Sequence, residues 1–354
     1  MIGRTTSKKL PLLLTFAILT LWIVFEFTEF EFLYTKSQFQ VEDFNSSLPS
    51  TAENCKCDTV NEDFCYVNPQ NSSSIGMKFD CSLVGTLEFL NLLDEPESFL
   101  NTTETSRSVE SLVFVSATSD SHLKYTLESY ASIRRYYPTN KFIIYRLNVN
   151  VTPLSHFPDN ENLEFRHFEA SRYPDFVRNA LTYSFKPLII SEVLKEYPMV
   201  WWNDAHFSMV EPTVVETVLN EVGSGKVPSS VVPVVGTDHS NFAVLHPELL
   251  KFFPSHSIQL QLEQRQMAAS VIFVQRTNYS VKLLKWWVLC ALTENCMSPP
   301  DARLSCKFHW NKFKRHASCF RFDQSILNQL LLNDFQDYRK YFIKEAHDAY
   351  ETSY

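Results

Sequence analysis

Residues 199–207 read MVWWNDAHF, an apolar run of strand length that ends abruptly in a carboxylate. The pattern places Asp204 at the C-terminal tip of a strand. In open α/β sheets the crevice beyond such tips is where ligands bind, and a carboxylate held there can carry a divalent cation or a ribose hydroxyl. A lone Asp after a buried strand is more often a helix N-cap or a turn residue, so the surrounding chain has to decide.

From Ser111 onward the chain alternates between strand and helix patterns. SLVFVSATS (111–119) is rich in β-formers, and His122–Tyr137 then carries Leu123, Leu127, Tyr130 and Ile133 at helical spacing up to Pro138. KFIIYRLNV (141–149) and LEFRHFEAS (163–171) read as the second and third strands. Lys186–Tyr197 has an apolar face of Leu188, Ile189, Val193 and Leu194 and feeds directly into the Asp204 strand. Four strands with intervening helices predict the parallel half-sheet of a Rossmann-like α/β domain. Beyond Asp204 the patterning predicts a helix over 214–222, strands over 231–236 and 267–275, and a helix over 278–292. A last helix over 322–333 and a terminal strand over 338–343 follow.

The N-terminal part differs in character. Arg4, Lys8 and Lys9 precede an uncharged apolar run from Leu10 to Phe25, and Glu26, Glu29 and Glu31 come directly after it. No small-x-small cleavage site follows, which predicts an uncleaved anchor over 10–27, a cytosolic tail over 1–9 and a lumenal remainder. The run is at the short end for spanning and suits the thinner membranes of the ER or Golgi. Residues 28–107 are polar with little periodicity and read as a stem, in which 83–93 is apolar enough for a short helix against the main domain.

All eight cysteines lie beyond the anchor, and an even number in an oxidising lumen predicts disulfides. They form an early group (Cys55, Cys57, Cys65, Cys81) and a late group (Cys290, Cys296, Cys306, Cys319), a division that suggests separate local staples. The Cys55-Lys56-Cys57 spacing is too tight for two ligands of one tetrahedral zinc site. Sequons at Asn45, Asn71, Asn101, Asn150 and Asn278 fit a lumenal address, the one at Asn150 weakened by Pro153. A formal charge of −8 argues against nucleic acid as a partner, and any bound phosphate would need a metal or a few focused cations. The late cysteines bracket a polar, basic loop.

Four segments carry a resemblance: TSDSHLKYTLESYASIRRYYP after the first strand, SFKPLIISEVLKEYPMVWWNDAHF, AASVIFVQRT and FDQSILNQLL. In this order they make the region from Ser111 to about Ile343 resemble GT-A glycosyltransferases. The closest likeness is to an uncharacterised, nematode-abundant group of type II membrane proteins thought to be glycosyltransferase-like. The resemblance implies a GT-A-like α/β fold over 108–354, a mostly parallel sheet flanked by helices. It also implies a nucleotide-sugar donor, usually a UDP-sugar, a glycan or glycoprotein acceptor, and often manganese.

Where that class has Asp-x-Asp, this chain has Asp204-Ala205-His206, with imidazole in place of the second carboxylate. Hard cations prefer oxygen. Either a metal is held by fewer protein ligands, Asp204 and His206 with His347 as a remote candidate, or the enzyme is metal-independent and meets the leaving group with cations. Thr118, Ser119 and Asp120 fall where the class cradles the nucleoside, unless Ser119 or Asp120 merely caps the next helix. Lys186 stands where it could reach a diphosphate as a point charge, or be simply solvated. Trp201 and Trp202 alternate across the strand and read as core. Asp323 opens the last helix and is the first choice for a general base in an inverting reaction, ahead of Asp238 and Glu263. Its plainer reading is a favourable charge at a helix N-terminus. The incomplete Asp-x-Asp keeps a second function open, a non-catalytic glycan-binding protein of the lumen or cell surface.

Overall fold

The described chain opens on two antiparallel pairs, β1 (Lys56–Cys57) with β2 (Val60–Asp63) and β3 (Cys65–Asn68) with β4 (Asn71–Lys78). Disulfides Cys55–Cys65 and Cys57–Cys81 staple them, and α1 (Val84–Phe89) follows where the apolar segment at 83–93 predicts a helix. Phe64, Phe79 and Leu87 are buried in the same core as Phe252 and Phe253, so this part of the expected stem is built into the main body. This computed structural model describes residues 55–57, 60–93, 108–147 and 161–352. The expected tail and anchor (1–27) and the sequons at Asn45, Asn101 and Asn150 lie outside them, whereas Asn71 and Asn278 are exposed. Among the described residues no helix is long and apolar enough to cross a membrane.

The central sheet begins with β5 (Leu112–Thr118), followed by α2 (Leu123–Tyr136), β6 (Phe142–Arg146) and β7 (Leu163–His167). Next come α3 (Phe185–Val193), β8 (Met199–Asn203), β9 (Phe207–Met209) and α4 (Val214–Gly223). The chain continues through β10 (Val231–Pro233), β11 (Gly236–Ser240), β12 (Arg265–Met267) and β13 (Val271–Gln275). It closes with α5 (Asn278–Ala291), α6 (Asp323–Phe335) and β14 (Tyr350–Thr352). Six strands pair in the order β10-β13-β8-β5-β6-β7. The four strands expected to form a half-sheet, β7-β6-β5-β8, are parallel; β13 adds antiparallel to β8, and β10 pairs antiparallel with β13.

Side-chain alternation divides this sheet between two cores. Val113, Val115, Val200, Trp202 and Ile272 face one layer with α3, α5 and α6, while Leu112, Phe114, Met199, Trp201 and Phe273 face the other with α2 and α4. Burial on both faces is why β8 is a continuous apolar run. Trp201 and Trp202, each fully buried, contribute roughly 4–6 kcal/mol apiece as an upper bound on hydrophobic burial. Helix α3, between the sheet and α5, is buried along nearly its whole length and so shows little amphipathicity.

Three expected strands differ. Residues 338–343 form no strand: Tyr338–Lys340 is a 3-10 turn, and Tyr341–Ile343 are buried as core packing. The terminal strand is β14, antiparallel to β9. A short apolar run cannot by periodicity alone be told from non-strand core. The run 267–275 divides, β12 pairing with β11 and β13 with β8, and 231–236 divides likewise between β10 and β11. The break at 268–270 supplies backbone to the cleft described next.

Candidate functional site

In the parallel half-sheet the chain runs from β5 outward through β6 and β7, then returns to β8 on the other side of β5. That reversal makes the β5/β8 boundary a topological switch point, where open sheets leave a crevice past the strand ends. A cavity of about 520 Å3 lies there. Ala117 and Ser119 from the end of β5 and Trp202 and Asp204–Phe207 from the end of β8 line it, opposite Ala268–Ser270 and the start of α6.

Lys186, Asp204 and Asp323 meet on this wall. Lys186 is 1% exposed, and its Nζ lies 3.1 Å from the Asp204 carboxylate and 2.6 Å from Asp323 Oδ2. Nζ also donates to the Ala269 carbonyl at 2.8 Å. The ammonium thus donates hydrogen bonds to Asp204 Oδ2 and the Ala269 carbonyl and forms a close ion pair with Asp323. Burial alone would pull the Lys186 pKa down, but Asp204 and Asp323 outweigh it and carry it up to about 12. Asp323 is 5% exposed, and burial pushes its carboxyl above the usual range against the pull of Lys186. Asp204 is further fixed by Trp202 Nε1, which donates to its Oδ1 at 2.7 Å, and by its own N–H donating to the Ser270 carbonyl at 2.7 Å.

The backbone leading to both buried charges is unusual. Tyr183, one turn before Lys186, has φ 58°, and Phe322, directly before Asp323, has φ 41° with ψ −116°. Bulky residues at positive φ cost of order 1–3 kcal/mol each and persist where the surroundings over-determine them. The Tyr183 ring lies 5.6 Å from Lys186 Nζ and caps it from the cleft side, since Tyr183 is itself part of the lining.

A second group occupies the β5 side. His122 Nδ1 is 2.7 Å from Ser119 Oγ and 2.9 Å from Ser121 Oγ. Its ring meets that of His206 at 5.2 Å, and His206 lies against Tyr125 at 4.0 Å. Burial, then neighbouring His206, holds the His122 pKa below the usual histidine range, with Asp204 opposing. His122 therefore stands as a neutral imidazole at pH 7.

These residues do not suit manganese. Both Asp204 oxygens are already engaged by the Lys186 ammonium or the Trp202 indole, and a cation at 3.1 Å repels a divalent ion. Among the described residues no group of three or more His, Cys, Asp or Glu side chains could hold a metal ion. His347, the remote candidate, accepts the Gly236 N–H on Nδ1 at 3.0 Å and is not part of the lining.

Of the site residues expected from sequence, Lys186, Asp204, His206 and Asp323 come together in the cleft. Thr118 and Asp120 do not: the Thr118 hydroxyl is buried, accepting from Thr126 Oγ1 at 2.9 Å, and Asp120 is exposed. Ser119 and His122 stand at that end of the cavity instead. Lys186, expected to reach outward as a free charge, is turned to the two carboxylates. Glu263 is exposed and pairs with Gln259 Nε2, and Asp238 pairs with Lys312. Unforeseen lining residues are Tyr183, His239, Ser270 and Arg321. Arg321 had a signal, two positions before Asp323 at the end of the basic loop; the others had none, because their approach is made by tertiary folding.

The fold and cleft define a doubly wound α/β protein with a strand-end ligand crevice. A family model described as a protein of unknown function (DUF1647) matches residues 54–191. No curated protein matches. Among solved structures, the galactosyltransferase LgtC in complex with donor and acceptor sugar analogs is 14% identical, with 62% of this chain and 70% of that one covered at a TM-score of 0.32. An active-site mutant of LgtC gives 14% identity, 62% and 69% coverage and a TM-score of 0.30. Likeness at that level assigns no role to any residue here, and none of these matches bears on the nematode membrane-protein group.

Proposed function

We propose that this protein is a glycosyltransferase that moves a sugar from a nucleotide-sugar, in the first instance a UDP-sugar, to a hydroxyl of a glycan or glycoprotein. The observation that carries the reading is the Asp204–Lys186–Asp323 ion cluster on the wall of a switch-point cleft. Its support from sequence is the ordered set of segments that resembles GT-A enzymes. Four disulfides among the described residues support an oxidising compartment, and with the apolar run at 10–25 they favour a membrane-anchored protein of the ER or Golgi lumen.

In this reading the nucleoside lies at the Ser119 and His122 end, where hydroxyl and neutral imidazole offer hydrogen bonds without charge. The charged side chains of the lining are Asp204, Asp323, Lys186 and Arg321, so the wall is neutral by formal count. Lys186 is a positioning residue: it fixes both carboxylates. Arg321 is exposed on the lining and meets the charge that develops on the departing diphosphate. Asp204 orients the donor through its hydroxyls. Asp323, whose proton affinity is raised by burial, takes the acceptor proton if the reaction inverts the anomeric centre. Manganese has no step in this scheme.

The test is calorimetric titration of the purified protein with UDP-sugars, beside Asp204→Asn. Binding by the native chain that falls about tenfold or more in the variant is expected. Binding unaffected by the substitution would remove Asp204 from the site. Binding without donor turnover, with any glycan acceptor supplied, would favour the glycan-binding alternative.

A further inference from the structure

Between Asp301 and Asp323 the chain carries six cations, Arg303, Lys307, Lys312, Lys314, Arg315 and Arg321, and no carboxylate. This concentration runs against the formal charge of −8 and so is a local feature. The same segment exposes two large apolar side chains, Phe308 at 39% and Trp310 at 70%. Of these residues the cleft chemistry described above uses Arg321 alone.

The loop is held in place. Cys306–Cys319 closes it, and the Lys307 N–H donates to the Ala317 carbonyl at 2.8 Å. It is fastened to the end of β11 and the segment after it, where Ser240 Oγ donates to the Phe313 carbonyl at 2.8 Å and the Ala317 N–H donates to the Ala243 carbonyl at 2.7 Å. His316 Nε2 lies 2.8 Å from the Leu245 carbonyl. Holding basic and aromatic side chains on a fixed frame lowers the ordering cost of binding.

The loop also adjoins the cleft. Leu304 and Arg321 at its two ends are lining residues, as is His239, whose ring stacks on Phe308 at 4.9 Å. A ligand chain lying along the loop is therefore led to the cleft mouth. We propose that the disulfide-closed segment 303–321 is the platform for an anionic saccharide chain, bearing carboxylates or sulfates, that serves as the acceptor. Lysine and arginine meet the anionic groups. Aromatic faces, with their negative quadrupole, meet the positively polarised C–H faces of the sugar rings. A bilayer surface shares the charge complementarity but cannot extend into a strand-end cleft, which favours the saccharide. The inference rests on the transferase reading for its acceptor role, though the loop's ligand is testable separately.

The experiment uses the full chain in neutral detergent, with Arg303→Glu/Lys307→Glu and Trp310→Ala as variants at exposed positions. Probes are a sulfated heparin oligosaccharide, an oligogalacturonate, neutral dextran, phosphatidylserine vesicles and UDP. The expected result is binding of one or both anionic oligosaccharides and not dextran, about tenfold weaker in each variant, with UDP affinity unchanged. Whichever of the two binds names sulfate or carboxylate as the feature read. Absence of oligosaccharide binding, or binding indifferent to all three substitutions, overturns the proposal. Vesicle binding lost in the variants without oligosaccharide binding overturns it in favour of lipid. Oligosaccharide binding that obeys the variants in a chain that binds no UDP upholds the loop's ligand and sinks the transferase reading instead.

Discussion

Lys186 is the residue on which the cleft depends, because its buried ammonium bridges the Asp204 and Asp323 carboxylates and supplies compensating charge to the buried Asp323. Removing one partner of a buried ion pair typically costs about 3–5 kcal/mol, since the remaining charge is left without compensation. Lys186→Met is therefore expected to lower the urea midpoint by that equivalent, and Lys186→Met/Asp323→Asn to recover much of it. A double variant no more stable than the single one would show that Asp323 is not the stranded charge. Sequence reading found Lys186, Asp204 and Asp323 individually, from their places beside a strand end or at a helix start. It did not find that they touch, because 186 and 323 are brought together only when α3 and α6 pack on the same face of the sheet.

At the scale of elements, α6 joins the cleft at one end to the N-terminal hairpin at the other. Asp334, near its C-terminus, accepts from Tyr279 OH at 2.9 Å, while its backbone carbonyl accepts from Gln70 Nε2 at 3.3 Å. Burial pushes the Asp334 carboxyl up to about 6, with Tyr279 opposing. The folded state then holds this proton more tightly than the unfolded chain does, so its contribution is present at low pH and is lost as pH rises through about 6. Asp334→Asn should flatten the urea midpoint between pH 4 and 6 by roughly 2 kcal/mol and make the protein more stable than native at pH 7.5. An unchanged pH slope would place the titrating group elsewhere. Elements were legible where periodicity was sustained, as in α2 and β8. They were misread where a strand broke or changed sheets, because the break at 268–270 is decided by which carbonyls Lys186 and Asp204 require, a tertiary matter.

For the whole molecule, the parallel half-sheet followed from the alternation of strand and helix after Ser111, and right-handed crossovers leave few ways to arrange it. The antiparallel addition of β13 and β10 was not legible, since nothing in their apolar runs states direction. Nor was the incorporation of residues 60–81 into the main core, although the helix expected over 83–93 was read as packing there, because a polar hairpin stapled by cysteines looks like a stem until its few aromatics are seen against Phe252, Phe253 and Trp286. We propose that this architecture turns over a nucleotide-sugar with two lysine-bridged carboxylates and no divalent ion. The most direct test is UDP release from a panel of UDP-sugars by the purified protein in EDTA, with and without manganese restored in excess, beside Asp323→Asn. Turnover in EDTA that manganese changes less than twofold, and that falls about 100-fold or more in the variant, is the predicted result. Turnover that requires manganese, or that survives loss of the Asp323 carboxylate intact, would contradict it.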